Sequence, residues 1–260
     1  MILTVDVGNS NIVAGVYDGE TLLTHWRLST RPYRTGDELL VTIRALFNES
    51  AIVPGRVRSV VLSSVVPPLT EPLADSLRNL CGVDPFLVTP ASVPWLEIET
   101  ENRNEMGPDL MANAVAAGAI APGRTASVVD FGTALTITTI NAGGAVQGVS
   151  IAPGLGQASL ALSTGTAQLP QVALEAPERP FGTNTVSAIQ SGLVHGYAAM
   201  VEGMISKLEA YFGTRVTGLA TGGLSNIVAP LISQVEHVDP WLTLNGLRII
   251  AERSERNENR

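Results

Sequence analysis

Hydrophobic and polar positions alternate with strand period at the start of the chain. Residues 3–16 read LTVDVGNSNIVAGV, in which two apolar, β-branched runs flank a short polar turn, as in a β-hairpin. A third alternating run, Thr21 to Leu28, follows the turn residues Asp18-Gly19. The opening segment therefore predicts a three-stranded antiparallel meander.

The same pattern returns about half a chain later. Residues 128–140 read VVDFGTALTITTI, and a third run from Ala145 to Ala152 follows Gly143-Gly144. Aligning Asp6 with Asp130 also aligns Gly8 with Gly132 and Asn9 with Thr133. Two unrelated hairpins are the alternative, but the agreement in register favours an internal duplication.

Each meander is followed by a further helix, strand, helix and strand. Helical spacing of apolar residues is found in residues 37–47 and 188–211, and strand-like runs in residues 57–66 and 217–223. We also align two later strand-like segments, Val83 to Leu87 and Val238 to Leu242. The predicted fold class is α/β, with duplicated domains at residues 1–117 and 118–260 facing a central cleft.

Composition excludes several classes of function. The 260 residues are 45% hydrophobic and only 15% charged, with a net charge of -8, which gives no basis for general attraction to nucleic acid or anionic membranes. No run approaches ~18 apolar residues, and Met1 opens directly into a strand pattern, so we expect a cytoplasmic protein. Cys81 is the only cysteine, which excludes an internal disulfide.

The first hairpin turn has the composition of a phosphate-binding loop. Gly8, Asn9, Ser10 and Asn11 offer successive backbone N–H groups and short polar side chains, which suit the tail of a nucleotide triphosphate. Asp6 lies beside this turn at the edge of an apolar strand, where orienting Mg²⁺ through its water shell would offset the cost of burying a carboxylate.

Two glycine turns in the second half could complete the nucleotide site. Gly132 and Thr133 match the first turn, with Asp130 as a second carboxylate facing a cation. After a later strand, Gly222 and Gly223 lack side chains and would let adenine or ribose approach the backbone.

Asp109 lies in the first turn of a helix predicted to begin after Gly107. It can be a helix N-terminal acid that interacts with the helix dipole. It can equally be a general base that accepts the proton of an alcohol attacking a γ-phosphate. The residues themselves leave both interpretations open.

An ordered set of motifs resembles the type III pantothenate kinases, with matches from Ile2 to about Ile250. The motifs are Asp6-Val7-Gly8-Asn9-Ser10-Asn11, Gly107-x-Asp109 with Asn113-Ala114-Val115-Ala116-Ala117, Asp130-Phe131-Gly132-Thr133-Ala134, Ala152-Pro153-Gly154, Gly182-x-Asn184-Thr185 and Gln190-Ser191-Gly192. The resemblance implies duplicated actin-like ATPase (ribonuclease H-like) domains. It also implies transfer of the ATP γ-phosphate to the terminal hydroxyl of pantothenate, the first step of coenzyme A synthesis.

The resemblance also assigns roles to individual residues. It implies that Asp109 is the base, that Asp6 orients Mg²⁺, and that Asp130 holds a monovalent cation, K⁺ or NH₄⁺. Gly107 and Thr185 would contact pantothenate, with Thr185 contributed by the partner subunit of a homodimer. Leu110 occupies a further substrate-binding position.

Several positions depart from the family pattern. Leu110 stands where the family has an arginine that helps to hold the substrate, and leucine cannot pair with a carboxylate. Basic residues usual in the family are also absent at Gly165, Gln168 and Thr183. The alternatives are a non-catalytic binding or regulatory paralogue, and a kinase for a less anionic substrate. Retention of all three aspartates favours a working kinase.

Overall fold

A computed structural model describes residues 1–258 of the chain. It divides into two compact units. The first comprises Met1–Leu96, Glu101–Ala116 and the segment from Thr243 onward, and the second comprises Glu97–Thr100 and Ala117–Leu242. The segment from Thr243 thus groups with the first unit although it follows the second half in sequence. The predicted boundary between residues 117 and 118 remains a prediction.

The first unit is built on a five-stranded mixed sheet. Its spatial order is β3-β2-β1-β4-β5, with β1, β2 and β3 antiparallel and with β4 and β5 parallel to β1. The strands are β1 Ile2–Val7, β2 Asn11–Asp18, β3 Thr21–Ser29, β4 Ser59–Ser64 and β5 Phe86–Leu87.

The second unit repeats this topology. Its order is β8-β7-β6-β9-β10, again with an antiparallel meander followed by two parallel strands. The strands are β6 Ala126–Phe131, β7 Ala134–Ile140, β8 Val146–Pro153, β9 Thr217–Thr221 and β10 Val235–Val238. Equal strand order confirms the duplication predicted from the sequence.

Four helices belong wholly or partly to the first unit. They are α1 Gly36–Glu49, α2 Pro67–Cys81, α3 Pro108–Ile120 and α7 Leu242–Glu258. A capping box between Thr35 and Glu38 starts α1, satisfying N–H groups that the first helical turn leaves unpaired. Leu39, Ile43 and Phe47 then form one buried face of α1, packed in the same core cluster as β1 and β4.

The helices of the second unit are α4 Leu155–Gly165, α5 Thr185–Phe212 and α6 Ser225–Val228. The long helix α5 starts with a capping box between Asn184 and Ser187. Its residues Val194, Val201 and Ile205 are buried in the core of this unit. None of the helices described here is long and apolar enough to cross a membrane.

The predicted alignment of Val83–Leu87 with Val238–Leu242 is wrong. In the first half, β5 begins after Asp84-Pro85, whereas in the second half β10 ends before Asp239. The carboxylate Oδ1 of Asp239 accepts a hydrogen bond of 2.8 Å from the N–H of Trp241, which turns the chain into α7. The run from Val238 to Leu242 is therefore a strand end and a helix start, because a local side-chain hydrogen bond replaces the ladder.

Helix α7 packs closely against α3. Thr243 Oγ1 donates to Oδ1 of the fully buried Asn113 at 2.8 Å. One turn further along α7, a Cβ added at Gly246 would overlap the carbonyl group of Ala112. Only glycine allows this approach, so α7 fixes the position of α3 within the first unit.

Replacing Gly246 with alanine should lower the free energy of unfolding by about 1 to 3 kcal/mol, because the added methyl group must push the two helices apart. The measurement is the thermal midpoint followed by circular dichroism. Gly203→Ala is the control, since Gly203 is exposed on α5, an added Cβ there meets nothing within 4 Å, and alanine is the better helix former. An unchanged midpoint for Gly246→Ala would refute the packing argument.

Candidate functional site

The turn between β1 and β2 has a fixed conformation and an exposed tip. The N–H of Gly8 donates to the carbonyl of Asn11 at 2.9 Å, and a Cβ at Gly8 would lie 3.3 Å from that oxygen. Asn9 and Ser10 are exposed at the tip. Such a turn presents backbone N–H and short polar groups to solvent, as an anion-binding loop requires.

Thr30, the residue that follows β3, braces this turn from behind. Its hydroxyl donates to the carbonyl of Gly8 at 2.7 Å, and its N–H donates to the carbonyl of Ser10 at 3.0 Å. The side chain is 2% exposed. Sequence analysis did not identify Thr30 because its contact with the turn depends on the pairing of β2 with β3.

Asp6 lies near the end of β1, directly opposite Ser63 on the parallel strand β4. Ser63 is fully buried, and its hydroxyl donates to Oδ1 of Asp6 at 2.7 Å. The hydrogen bond from Ser63 therefore orients the Asp6 carboxylate. The sequence-predicted neighbourhood of Asp6 and the Gly8 turn is therefore present in the first unit.

Asp130 occupies the equivalent place in the second unit, between two threonines. It pairs with Thr136 on β7 and with Thr221 on β9, and directly opposed residues point to the same face of a sheet. The hydroxyls of Thr136 and Thr221 are buried, and neither has a hydrogen-bond partner among the residues described. Buried hydroxyls without partners are costly, and this row of three oxygen-bearing side chains is suited to a hard cation.

Glycines surround this row closely. Gly222 has a φ of +90°, and a Cβ there would overlap Oδ1 of Asp130 and the backbone of Phe131. A Cβ at Gly132 would lie 3.3 Å from the same carboxylate oxygen. The second unit thus brings together two turns that the sequence placed 90 residues apart, while Thr133 and Gly223 lie exposed beside them.

Gly154 supports the Gly132–Thr133 turn and was not among the predicted site residues. Its N–H donates to the carbonyl of Thr133 at 3.1 Å. A Cβ on Gly154 would overlap the carbonyl oxygens of both Gly132 and Thr133. The available signal was its place in the Ala152-Pro153-Gly154 motif, directly after β8.

Asp109 lies in the first turn of α3. The carbonyl of Gly107 accepts the N–H of Met111 at 3.0 Å, so the helix begins there, with Pro108 at its first position. Oδ1 of Asp109 accepts the N–H of Leu110 at 2.9 Å. Burial raises the pKa of Asp109, and backbone N–H groups of Leu110 and Asp109 oppose that rise.

The surroundings of Asp109 explain the glycine before it. A Cβ at Gly107 would lie 2.5 Å from Oδ1 of Asp109 and 3.6 Å from the side chain of Leu110. Any larger residue would displace the carboxylate from this position.

Thr185 is exposed at the first position of α5, after the N-cap Asn184. The preceding Gly182 crosses this first turn so closely that a Cβ would overlap the backbone of Ala188. The predicted residues are therefore distributed between the units. Asp6, the Gly8–Asn11 turn, Gly107, Asp109 and Leu110 lie in the first, and Asp130, Gly132, Thr133, Thr185, Gly222 and Gly223 in the second.

A resident metal at these positions would depend on few protein ligands. Within residues 1–258, no group of three His, Cys, Asp or Glu side chains comes together as a metal cluster. The residues present still fit cations, because Asp6 has an oriented carboxylate and Asp130 is flanked by two buried hydroxyls without partners.

Comparisons with known proteins agree with this arrangement. The profile of the type III pantothenate kinase family matches residues 2–207. The type III pantothenate kinase of Moorella thermoacetica is 40% identical over 254 residues, covering 98% of this chain and 100% of that protein. That of Exiguobacterium sibiricum is 41% identical over 255 residues, covering 98% and 100%.

The fold is also found in a solved kinase structure. A ROK family glucokinase from Streptomyces griseus, in complex with glucose and AMPPNP, is 16% identical, with a TM-score of 0.54 covering 97% of this chain and 99% of that one. This likeness concerns the fold alone, and it agrees with the predicted α/β class with duplicated domains, which the repeated sheet topology confirms.

The repeated sheet topology, the paired aspartates beside glycine turns and the full-length identity of about 40% lead to one conclusion. The chain belongs to the type III pantothenate kinase family.

Proposed function

We propose that this enzyme transfers the γ-phosphate of ATP to the terminal hydroxyl of pantothenate, the first step of coenzyme A synthesis. The observation that carries the proposal is the duplicated strand-end aspartate beside a glycine turn, together with a partly buried carboxylate, Asp109, at a helix start. Phosphoryl transfer depends mainly on positioning and charge neutralisation, which such a set of groups supplies.

Asp109 is the general base in this proposal. Its backbone hydrogen bond from Leu110 and the closely packed Gly107 fix the direction of the carboxylate. Partial burial raises its pKa, which makes the ionised form a better proton acceptor than an ordinary aspartate. Asp109 therefore accepts the proton of the substrate hydroxyl as that oxygen attacks phosphorus.

The first unit binds phosphate through the Gly8–Asn11 turn. Gly8 shapes the turn through its hydrogen bond to Asn11, and Asn9, Ser10 and Asn11 offer N–H and side-chain donors to the phosphate oxygens. Asp6 would orient Mg²⁺ through water. When bound, Mg²⁺ neutralises charge on the phosphate oxygens. Ser63 holds the Asp6 carboxylate in a fixed orientation, which is its contribution to cation binding.

The second unit binds a monovalent cation and the rest of the nucleotide. Asp130, Thr136 and Thr221 supply oxygens for K⁺ or NH₄⁺, and the unpaired buried hydroxyls support this assignment. Gly132 and Thr133 form a second phosphate turn. Gly222 and Gly223 admit adenine or ribose because no side chain projects from them.

Substrate binding involves Gly107, Leu110 and Thr185. Thr185 is exposed at the start of α5, and we propose that it reaches pantothenate bound to a partner subunit of a homodimer. Exposed apolar side chains on the same unit, including Phe181 at 61% and Val186 at 45%, support an interface there, because a monomer gains nothing by exposing them.

A neutral alcohol is the second candidate substrate. Leu110 lies beside Gly107, next to the base, and leucine cannot pair with a substrate carboxylate. A charge-assisted contact to a substrate carboxylate is worth about 1.5 to 3 kcal/mol, so its absence weakens discrimination in favour of an acid. Pantothenamides, the neutral amides of pantothenate, test this candidate.

ATP turnover with pantothenate, Mg²⁺ and K⁺ should be measurable, and Asp109→Asn should lower kcat by at least about 100-fold because proton transfer loses its acceptor. The variant should unfold at a temperature no lower than wild type, since it removes a desolvated charge. A parallel pantothenamide series identifies the substrate class. If the protein binds ATP but shows no ATP turnover with any alcohol, the non-catalytic alternative is favoured.

The pH profile of kcat/KM should show an acidic limb with a midpoint above ~3.9, the ordinary pKa of aspartate. Burial raises the pKa of Asp109, so the active ionised form is lost as the pH falls through that raised value. The measurement is the initial rate at saturating ATP, with circular dichroism at each pH to exclude acid unfolding. A midpoint at or below the ordinary value, in a folded enzyme, contradicts the assignment.

Thr221→Val should raise the K⁺ concentration for half-maximal activity about tenfold, equivalent to roughly 1.4 kcal/mol, because one oxygen beside Asp130 is lost. Thr217→Val is the matched control. Thr217 lies on the same strand, is equally buried and also has a hydroxyl without a partner, but it is opposite Ala126 instead of Asp130. Equal effects of the two substitutions would exclude Thr221 from the cation site.

A further inference from the structure

We propose that Thr30 is a positioning residue for ATP, holding the Gly8–Asn11 turn in the conformation that directs its N–H groups toward phosphate. The inference rests on the proposed function of that turn and adds a residue that does not itself touch the nucleotide. It is carried by two hydrogen bonds from a single residue to two carbonyls of the turn.

One of the two hydrogen bonds comes from the side chain of Thr30 and the other from its backbone. The side-chain hydroxyl donates to the carbonyl of Gly8 at 2.7 Å, and the backbone N–H donates to the carbonyl of Ser10 at 3.0 Å. The second bond continues the ladder between β2 and β3, whose last paired residues are Asn11 and Ser29. The first bond lies outside any ladder, so it depends on the identity of the side chain.

Because the peptide group is planar, these hydrogen bonds also set the direction in which N–H groups of the turn point. A trans peptide is planar, with its C=O and N–H on opposite sides. Holding the carbonyl of Gly8 toward Thr30 therefore points the N–H of Asn9 away from Thr30. Thr30 thus determines the orientation of the Asn9 N–H, one of the donors assigned to phosphate.

The Gly8–Asn9 peptide is the more vulnerable of the two. Gly8 has no Cβ to restrict its backbone, and a carbonyl deprived of its donor can rotate toward water. Rotation of this peptide would turn the N–H of Asn9 away from the phosphate. Loss of the Thr30 hydroxyl should therefore weaken ATP binding while leaving the acceptor substrate, which this turn does not hold, unaffected.

A merely structural role is the competing explanation, and the chain offers a matched control for it. Thr4 on β1 is fully buried, and its hydroxyl donates to the carbonyl of Gly15 at 3.2 Å in the same sheet. Thr4→Val removes a comparable side-chain to backbone hydrogen bond away from the turn. Its effect measures what the sheet loses without any change at residues 8–11.

The experiment compares Thr30→Val, Thr30→Ser and Thr4→Val with wild type. Calorimetry with a non-hydrolysable ATP analogue should give a Kd about five- to tenfold higher for Thr30→Val, the scale expected for one lost hydrogen bond. KM for ATP should rise in parallel, with KM for pantothenate unchanged. Thr30→Ser restores the hydroxyl and should restore affinity, and Thr4→Val should bind the analogue as wild type does.

The outcomes separate this inference from the proposed function. Calorimetry needs no phosphoryl acceptor, so a chain that binds the analogue but phosphorylates no pantothenate refutes the substrate assignment and leaves the Thr30 comparison intact. Wild-type affinity in Thr30→Val overturns the inference, as does an equal loss in Thr4→Val. A wild-type chain that binds no analogue overturns both proposals.

Discussion

Compensating the cost of placing carboxylates near the ends of otherwise apolar strands is the constraint on which the rest of this molecule depends. Asp6 and Asp130 each stand near the carboxyl end of the central strand of a five-stranded sheet. A desolvated carboxylate costs several kcal/mol unless a hydrogen-bond donor or cation compensates it. The neighbouring parallel strand supplies a hydroxyl at the opposed position in both units, Ser63 in one and Thr221 in the other.

The two halves use the same architecture but have diverged in chemistry. Ser63 donates directly to Asp6, so the first carboxylate has a protein partner that maintains its orientation. In the second half, the hydroxyls of Thr136 and Thr221 are buried beside Asp130 and have no partner among the residues described. An identical topology can therefore present one aspartate to a hydrated divalent ion and another to a directly bound monovalent ion, as we propose here.

The environment of Asp109 differs from that of Asp6 and Asp130, because Asp109 lies at the start of a helix and not at the end of a strand. The first turn of α3 supplies backbone N–H groups that favour the charged form, while burial opposes it and raises the pKa. The position of this helix depends on α7, which approaches closely at Gly246 and bonds through Thr243 to Asn113. Residues distant in sequence therefore hold the helix that carries Asp109 in place.

The sequence by itself determined the local elements: two meanders with period-two alternation, helices over residues 37–47 and 188–211, and glycine turns next to Asp6 and Asp130. The structure places these helices at Gly36–Glu49 and Thr185–Phe212. These elements follow from short-range sterics, helix capping and alternation of apolar residues, all of which depend on residues close together in sequence. Only the tertiary structure decided which hydroxyls lie opposite the aspartates and that Thr30 holds the first turn. It also decided that Gly222 packs on Asp130 and that α7 belongs mainly to the first unit. Strand register and close helix packing arise between residues far apart in sequence, so no local pattern encodes them. The failed alignment of Val238–Leu242 has the same cause, because the Asp239 side chain, and not the apolar pattern, ends the strand.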